Sequence, residues 1–513
     1  AVIVVSVAPA LGVFWTLGLI QFFGFQDNPF NDVVLPVLVS LVGLTDGVHL
    51  MVQIRKLRTE GVAPRQAARL GIRQVGLACA LTSLTTAIGF GSLALADHRF
   101  VQEFGYCCVI GVVVTFISVV TTIPLICSTW LGKFVQVGQG KSLVDKNIGR
   151  IGGLVNFVLP RSNWISLLAI VSTILFILVS LTLRPDERKS NNLPPNSEAA
   201  IAMKKLDKAL NGLEPGSVNL IWSDRVPSNS PEVITVIGKI DKLLENEPLL
   251  GNPLSIRNLI DSLPGDGEAE DRMSMLELLP PPIKRAFYTP ENRTADVIFR
   301  VQDRGIAEYD EVFAKLNDGI QTIQSEHPEF TLKLDGEAIW RWENLYQIVI
   351  DLATSLGVAS LIIFAVLAIA YRSIRVGLIS IVPNMFPLAT AGVYLVVTGQ
   401  SLEVVTVCAF TVCLGIAVDD TIHFLTRYQE EKSKTDDQEA AIYNAFSGVG
   451  TALIITTTIL VAGFFTVLLS ESRDHFTFAS MAIITFSAAL FADLVFLPAM
   501  LKQFDAKTKP RKN

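Results

Sequence analysis

Gly415-Ile416-Ala417-Val418-Asp419-Asp420-Thr421-Ile422-His423-Phe424 places two adjacent acids inside an apolar run that extends over about 403–427. That length spans a bilayer, and an ionised carboxylate near its middle is expensive unless it faces a protein interior or a water-filled cavity. A second stretch, Leu41-Val42-Gly43-Leu44-Thr45-Asp46-Gly47-Val48-His49-Leu50, carries an acid and a histidine at the same spacing, 374 positions earlier. Working outward, the same offset pairs Pro9 with Pro383, Ala67 with Ala441, and Val75-Gly76 with Val449-Gly450. It also pairs Thr82 with Thr456, Gly89-Phe90 with Gly463-Phe464, Arg99 with Arg473, Phe104 with Phe478 and Pro124 with Pro498. One register kept without a gap across four spans and three connectors is an internal repeat, not shared apolar composition.

The chain of 513 residues is 50% hydrophobic and 18% charged, well short of the charge a soluble chain carries. Charges gather in one central block, and hydropathy marks ten spans elsewhere: 1–23, 33–54, 74–96, 101–130, 163–183, 346–370, 376–398, 403–427, 446–470 and 475–501. Basic residues sit in alternate connectors: Arg55, Lys56, Arg58, Arg65, Arg69 and Arg73; then 131–161; then Arg372 and Arg375; then the tail from Lys502; the exception is 428–444, which mixes Lys432 and Lys434 with a run of acids. That side is expected to be cytoplasmic, which puts the central block outside. The net charge of −6 reflects an acidic excess in that block and gives no footing for nucleic acid. All six cysteines fall in apolar runs, so no disulfide framework is implied.

The expected division is a first transmembrane repeat at 1–130 (four spans, incomplete), a basic connector at 131–161 and the first span of the second repeat at 162–183. An extracytoplasmic α/β domain at 184–343, five further spans at 344–502 and a basic tail at 503–513 complete it. An even number of spans separates equivalent points, so the copies are parallel, as in transporters whose repeats are related by an axis along the membrane normal. The first copy lacks counterparts of the span 163–183, the outer block and the span 346–370. A leading segment carrying them is therefore expected in the complete protein. Within 184–343 the pattern predicts helices at 197–211, 231–247 and 306–325 and strands at 217–222, 295–301 and 330–334, two β–α–β passes that suggest a ferredoxin-like sandwich.

Asp46, Asp419 and Asp420 are the candidate proton relay. Desolvation favours the protonated form of such acids, and two adjacent ones cannot both ionise cheaply. Thr82, Thr456 and Thr457, hydroxyls expected to face the acids, are candidate relay partners, and the alternative is that the acids only make a helix-packing hydrogen bond to such a hydroxyl. His49 and His423 follow their acids by three residues on one helix face, and either pass protons on or mark the membrane interface. Asp493 is expected near the cytoplasmic boundary and outside the relay.

Gly415 to Asp420 resembles the GxxxDD signature of the resistance–nodulation–division (RND) superfamily. The duplicated α-helical unit with an outer domain after its first span resembles that architecture, closest to the MMPL-like, Patched-like and hopanoid-exporter branch. The resemblance covers essentially the whole chain and implies an exporter of lipids or other hydrophobic molecules, driven by protons through Asp419 and Asp420. The first copy departs from the pattern: Leu41 replaces the glycine and Thr45 the first acid. Two other functions stay open, a sterol-sensing-like lipid-binding regulator and an auxiliary of protein export. No nucleophile–base motif, metal-ligand cluster or phosphate loop appears, so no enzyme, cofactor or metal is expected. Expected partners are membrane lipids, protons and a hydrophobic small molecule, with a homo-oligomer or periplasmic protein in addition. The expected location is the inner (cytoplasmic) membrane.

Overall fold

A computed structural model describes residues 2–25, 33–95, 99–133, 153–194, 196–228, 230–263, 275–276 and 278–505. The cations of the expected connector and tail at Lys141, Lys146, Arg150, Lys507, Lys509, Arg511 and Lys512 lie outside these residues. The chain divides into two compact units, Ala1–Leu183 with Ile348–Asn513, and Arg184–Gln347.

The first unit opens with α1 (Val2–Phe23), α2 (Leu35–Thr59), α3 (Pro64–Ser92) and α4 (Arg99–Ser128), followed by α5 (Ser162–Ser180). Helix α3 starts ten residues before the apolar run does. Pro36 and Pro64 stand in the first turns of α2 and α3, where a missing N–H costs nothing.

The second unit runs α6 (Glu198–Leu210), β1 (Glu214–Trp222), α7 (Pro231–Glu245), β2 (Leu250–Leu254), α8 (Ile256–Asp261), α9 (Pro281–Phe287), β3 (Tyr288–Thr289), β4 (Thr294–Val301), α10 (Asp310–Glu326) and β5 (Phe330–Gly336). The sheet has the order β2-β4-β1-β5, every pair antiparallel, with β3 added against β4. Every second residue of β4 is buried, so Ala295, Val297, Phe299 and Val301 share a core with Val218 and Leu220 of β1, Ile237 of α7 and Phe313 of α10. The sequence pattern misses β2 and β3. Gly251 and Pro253 break the alternation of β2, whose pairing shifts register between Gly251 and Leu254, and β3 is only two residues long.

Helix α11 (Glu337–Ala370) begins in the second unit and ends in the first. It is followed by α12 (Ile374–Thr398), α13 (Val404–Lys432), α14 (Gln438–Val467), α15 (Arg473–Phe491), a π-helical turn (Ala492–Phe496) and α16 (Leu497–Phe504). Among the described residues ten helices are long and apolar enough to cross a membrane, and the chain is a multi-pass membrane protein. On α5, Trp164, Leu167, Leu168, Val171, Ile174, Leu175 and Leu178 are exposed, a face that needs lipid rather than water around it. Helix α13 is the reverse: the middle of this helix is buried on every side. It packs against α3, α14 and α15, while α2 packs against α14, so the helices that carry acids meet at the joint between the sequence copies. Gly89 makes this closeness possible, because a Cβ there would stand 2.9 Å from the Gly415 Cα. Helices α13 and α14 also extend beyond the apolar windows: the end of α13 is tied by Arg427–Glu430, Arg427–Glu431 and Lys434–Glu430 pairs, and the start of α14 by Glu439–Lys502.

Candidate functional site

Asp46 on α2 is 2% exposed, and Asp419 and Asp420 on α13 are 5% and 8% exposed, so all three depend on protein partners. The next helix of each copy supplies them. Thr82 Oγ1 donates to Asp46 Oδ1 at 3.0 Å and Ser83 Oγ to Asp46 Oδ2 at 3.1 Å. At the positions 374 residues on, Thr457 Oγ1 donates to Asp420 Oδ2 at 3.0 Å, and Thr456 Oγ1 lies 3.4 Å from Asp420 Oδ1. Thr82 and Thr456 each have a second acceptor within reach, the Cys79 carbonyl at 2.9 Å and the Leu453 carbonyl at 2.9 Å. A hydroxyl has one hydrogen to give but can also accept. Each threonine therefore suits either state of its acid: it donates to a carboxylate, or accepts from a carboxylic acid while its own hydrogen turns to the carbonyl.

Asp419 is held from the other copy. Thr86 Oγ1 of α3 donates to the Gly415 carbonyl at 2.9 Å and lies 3.5 Å from Asp419 Oδ1. No salt bridge reaches Asp46, Asp419 or Asp420 among the described residues, and Thr85 and Thr458 bond only to backbone of their own helices. His49 and His423 come from opposite copies and stack face to face, centroids 3.6 Å apart and planes 7° apart. Two positive rings so placed would repel by roughly 4 kcal/mol even at an effective dielectric of 20, so at most one is charged. The pair lines a cleft with Gln53, Lys56, Gln74, Thr426, Arg427 and Glu430, on the side of the basic connectors.

Two features depart from the sequence reading. Asp493 belongs to the polar interior of the bundle: it lies buried at 1% exposure on the π-helical turn, where it accepts from Thr421 Oγ1 at 2.6 Å. Thr421 is also 3.2 Å from Asn384 Oδ1, so the polar interior extends from Asp420 through its neighbour to Asp493 and Asn384. The sequence signal for it is an acid inside the apolar run 475–501. The second departure is a cluster: one donor atom each of Asp46, Cys79 and His423 lie within 4.8 Å of one another. Three helices supply them, so no local spacing announced it.

The described helices bury these acids inside a multi-pass membrane bundle, where ionisable groups are rare and commonly functional. The chain matches the MMPL family over residues 1–156 and 193–513 and belongs to that family. It is 29% identical over 149 residues to the hopanoid transporter HpnN of Burkholderia multivorans, covering 29% of this chain and 17% of that protein. It is 28% identical over 116 residues to a putative membrane protein, MJ1562, of Methanocaldococcus jannaschii, covering 22% and 29%. It is 25% identical over 201 residues to the multidrug resistance protein MdtC of Yersinia enterocolitica, covering 36% and 19%, which makes it similar to members of the RND superfamily. The matched stretches span less than a third of these relatives' own length.

Proposed function

We propose that this chain is part of a secondary transporter that exports lipids or other hydrophobic molecules from the inner membrane, driven by protons that pass through Asp46, Asp419 and Asp420. The observation that carries the reading is the pair of threonines, Thr82 and Thr456, each set between its acid and a backbone carbonyl. A group that takes up and releases a proton inside a bundle needs satisfied hydrogen bonds in both states, because an unmet one costs about 1–3 kcal/mol. The stacked histidines and their cleft give the acids a polar route toward the basic side. Asp493 and Thr421 extend the second copy's site.

The matched residues, the equal bond patterns 374 positions apart and the relatives named as hopanoid and multidrug proteins support two parallel copies and a hydrophobic substrate. In this reading the cytoplasmic side is the basic one, and 184–343 is an extracytoplasmic domain. The strand order β2-β4-β1-β5, with two β–α–β passes whose strands are each separated by another, supports the ferredoxin-like assignment. A lipid-binding regulator of the sterol-sensing kind would need no such acids.

The same hydrogen bonds would serve a bundle in which the acids only pack, and one substitution separates the two. Asp420→Asn keeps an oxygen to accept from Thr457 but holds no exchangeable acid proton. Export of a fluorescent lipid from proteoliposomes under a pH gradient should therefore stop in this variant while insertion and melting stay as in the wild type. Wild-type export would sink the relay.

A further inference from the structure

We propose that Asp46, Cys79 and His423 form a binding site for a thiophilic divalent cation of the zinc class, placed across the joint between α2 and α3 of one copy and α13 of the other. A carboxylate, a thiolate and an imidazole are the donor set that borderline-soft ions prefer, whereas magnesium and calcium take oxygen ligands. Bonds of about 2.0–2.3 Å put the donors of a tetrahedral zinc roughly 3.5 Å apart. Here they already lie within 4.8 Å, so side-chain adjustments of about 1 Å close the set. The carboxylate and thiolate together neutralise a dication, which matters where no water screens it. Thr82 and Ser83 hold the Asp46 oxygens from behind, as hydrogen-bonded groups around metal ligands commonly do.

A second observation points to the same place. His49 Nε2 is fully buried and has no hydrogen-bond partner among the described residues, and its ring lies on that of His423. A buried ring nitrogen left unpaired is costly, and a water in the fourth position of a three-ligand zinc would meet it. The cleft lined by both histidines, Ala78 and Glu430 is the route in. The site is one-sided. At the position equivalent to Cys79 the second copy has Leu453, so the mirrored trio lacks its thiol.

The consequence for transport rests on the relay proposed above: an ion bound to Asp46 occupies the carboxylate a proton needs and ties the two copies together. The test titrates the purified full chain in detergent with cobalt(II), whose thiolate-to-metal charge-transfer band reports a cysteine ligand. The wild type should bind a single equivalent with that band, zinc should displace it, and both Cys79→Ser and Cys79→Leu should lose the band. The Leu variant copies the other repeat and the Ser variant keeps the volume, so a folding defect in one does not decide the result. No binding to the wild type, or a band that persists in both variants, overturns the site. In proteoliposomes zinc should slow wild-type export and spare Cys79→Ser. If the band behaves as expected while zinc leaves export untouched, the metal site stands and the assignment of Asp46 to the relay falls.

Discussion

The two acid sites have matching hydroxyl partners and matching histidines, and differ in the other polar groups around them. Asp46 is one carboxylate gripped by two bonds of 3.0 and 3.1 Å. Asp420 has one bond of 3.0 Å and one of 3.4 Å, a neighbouring acid in Asp419 and a third acid, Asp493, linked to the adjacent Thr421. The positions equivalent to Asp419, Thr421 and Asp493 in the first copy are Thr45, Gly47 and Val119. Thr45 spends its hydroxyl on the Val42 carbonyl, and Val119 is fully buried in an apolar cluster. The pair of hydroxyls on the following helix thus recurs 374 positions on, while more titratable groups stand on the second side. Asp419 interacts with Asp46 across the joint as well as with Asp420, so the acids form one connected set, of which the second half supplies three, Asp419, Asp420 and Asp493. We infer that the second copy carries most of the coupling.

The sharpest way to break this comparison is to neutralise the acids one at a time. Asp420→Asn should reduce gradient-driven export to the level of empty vesicles. Asp46→Asn, at matched expression, should leave a measurable rate and a shifted pH profile. Equal or greater damage from Asp46→Asn would mean that the first copy holds an essential relay of its own. An intermediate loss is expected from Thr421→Val, which removes the donor to Asp493 without touching a carboxylate. The same export assay, run against pH, checks it.

A smaller effect compares the two seams. A Cβ on Gly89 meets the Gly415 backbone at 2.9 Å, whereas one on Gly463 meets the end of the Leu41 side chain at 2.6 Å. Backbone cannot yield and a leucine can rotate. Gly89→Ala should cost about 1–3 kcal/mol, with a lowered melting temperature in detergent. Gly463→Ala should fall within about 1 kcal/mol of the wild type, since alanine gains helix propensity.

The smallest expected effect on transport is at a buried acid of the second unit. Burial pushes Asp241 up to about 6, against a hydrogen bond from Ser255. Its folded-state value lies above the unfolded one, so protonation favours the fold: the contribution is complete below about pH 4 and is lost as pH rises through about 6. Asp241→Asn should therefore stabilise the protein at pH 7 by on the order of 2 kcal/mol. The gain should vanish near pH 4, and export should be unchanged. Melting curves at the two pH values measure it.

Much of this was legible in the sequence because hydrocarbon imposes a strong rule. Ten apolar runs gave ten helices, and the acid, its following histidine and its hydroxyls stood out against apolar neighbours. Helix ends were less legible. Hydropathy reports the thickness of hydrocarbon, whereas α3 and α14 begin earlier, at Pro64 and Gln438, in polar turns that no apolar pattern marks. Contacts between copies were not legible at all. Nothing local in Thr86 says that it meets Gly415, in His49 that it stacks on His423, or in Cys79 that it lies beside both an acid of its own copy and a histidine of the other.

The central claim is that buried carboxylates couple protons to export, and export measured in sealed proteoliposomes while the pH gradient is imposed and then collapsed with a proton ionophore tests it most directly. Wild-type export should fall on collapse to the rate of Asp420→Asn, and that variant should not respond to the ionophore. A wild-type rate indifferent to the gradient, or a variant that still follows it, would contradict the account.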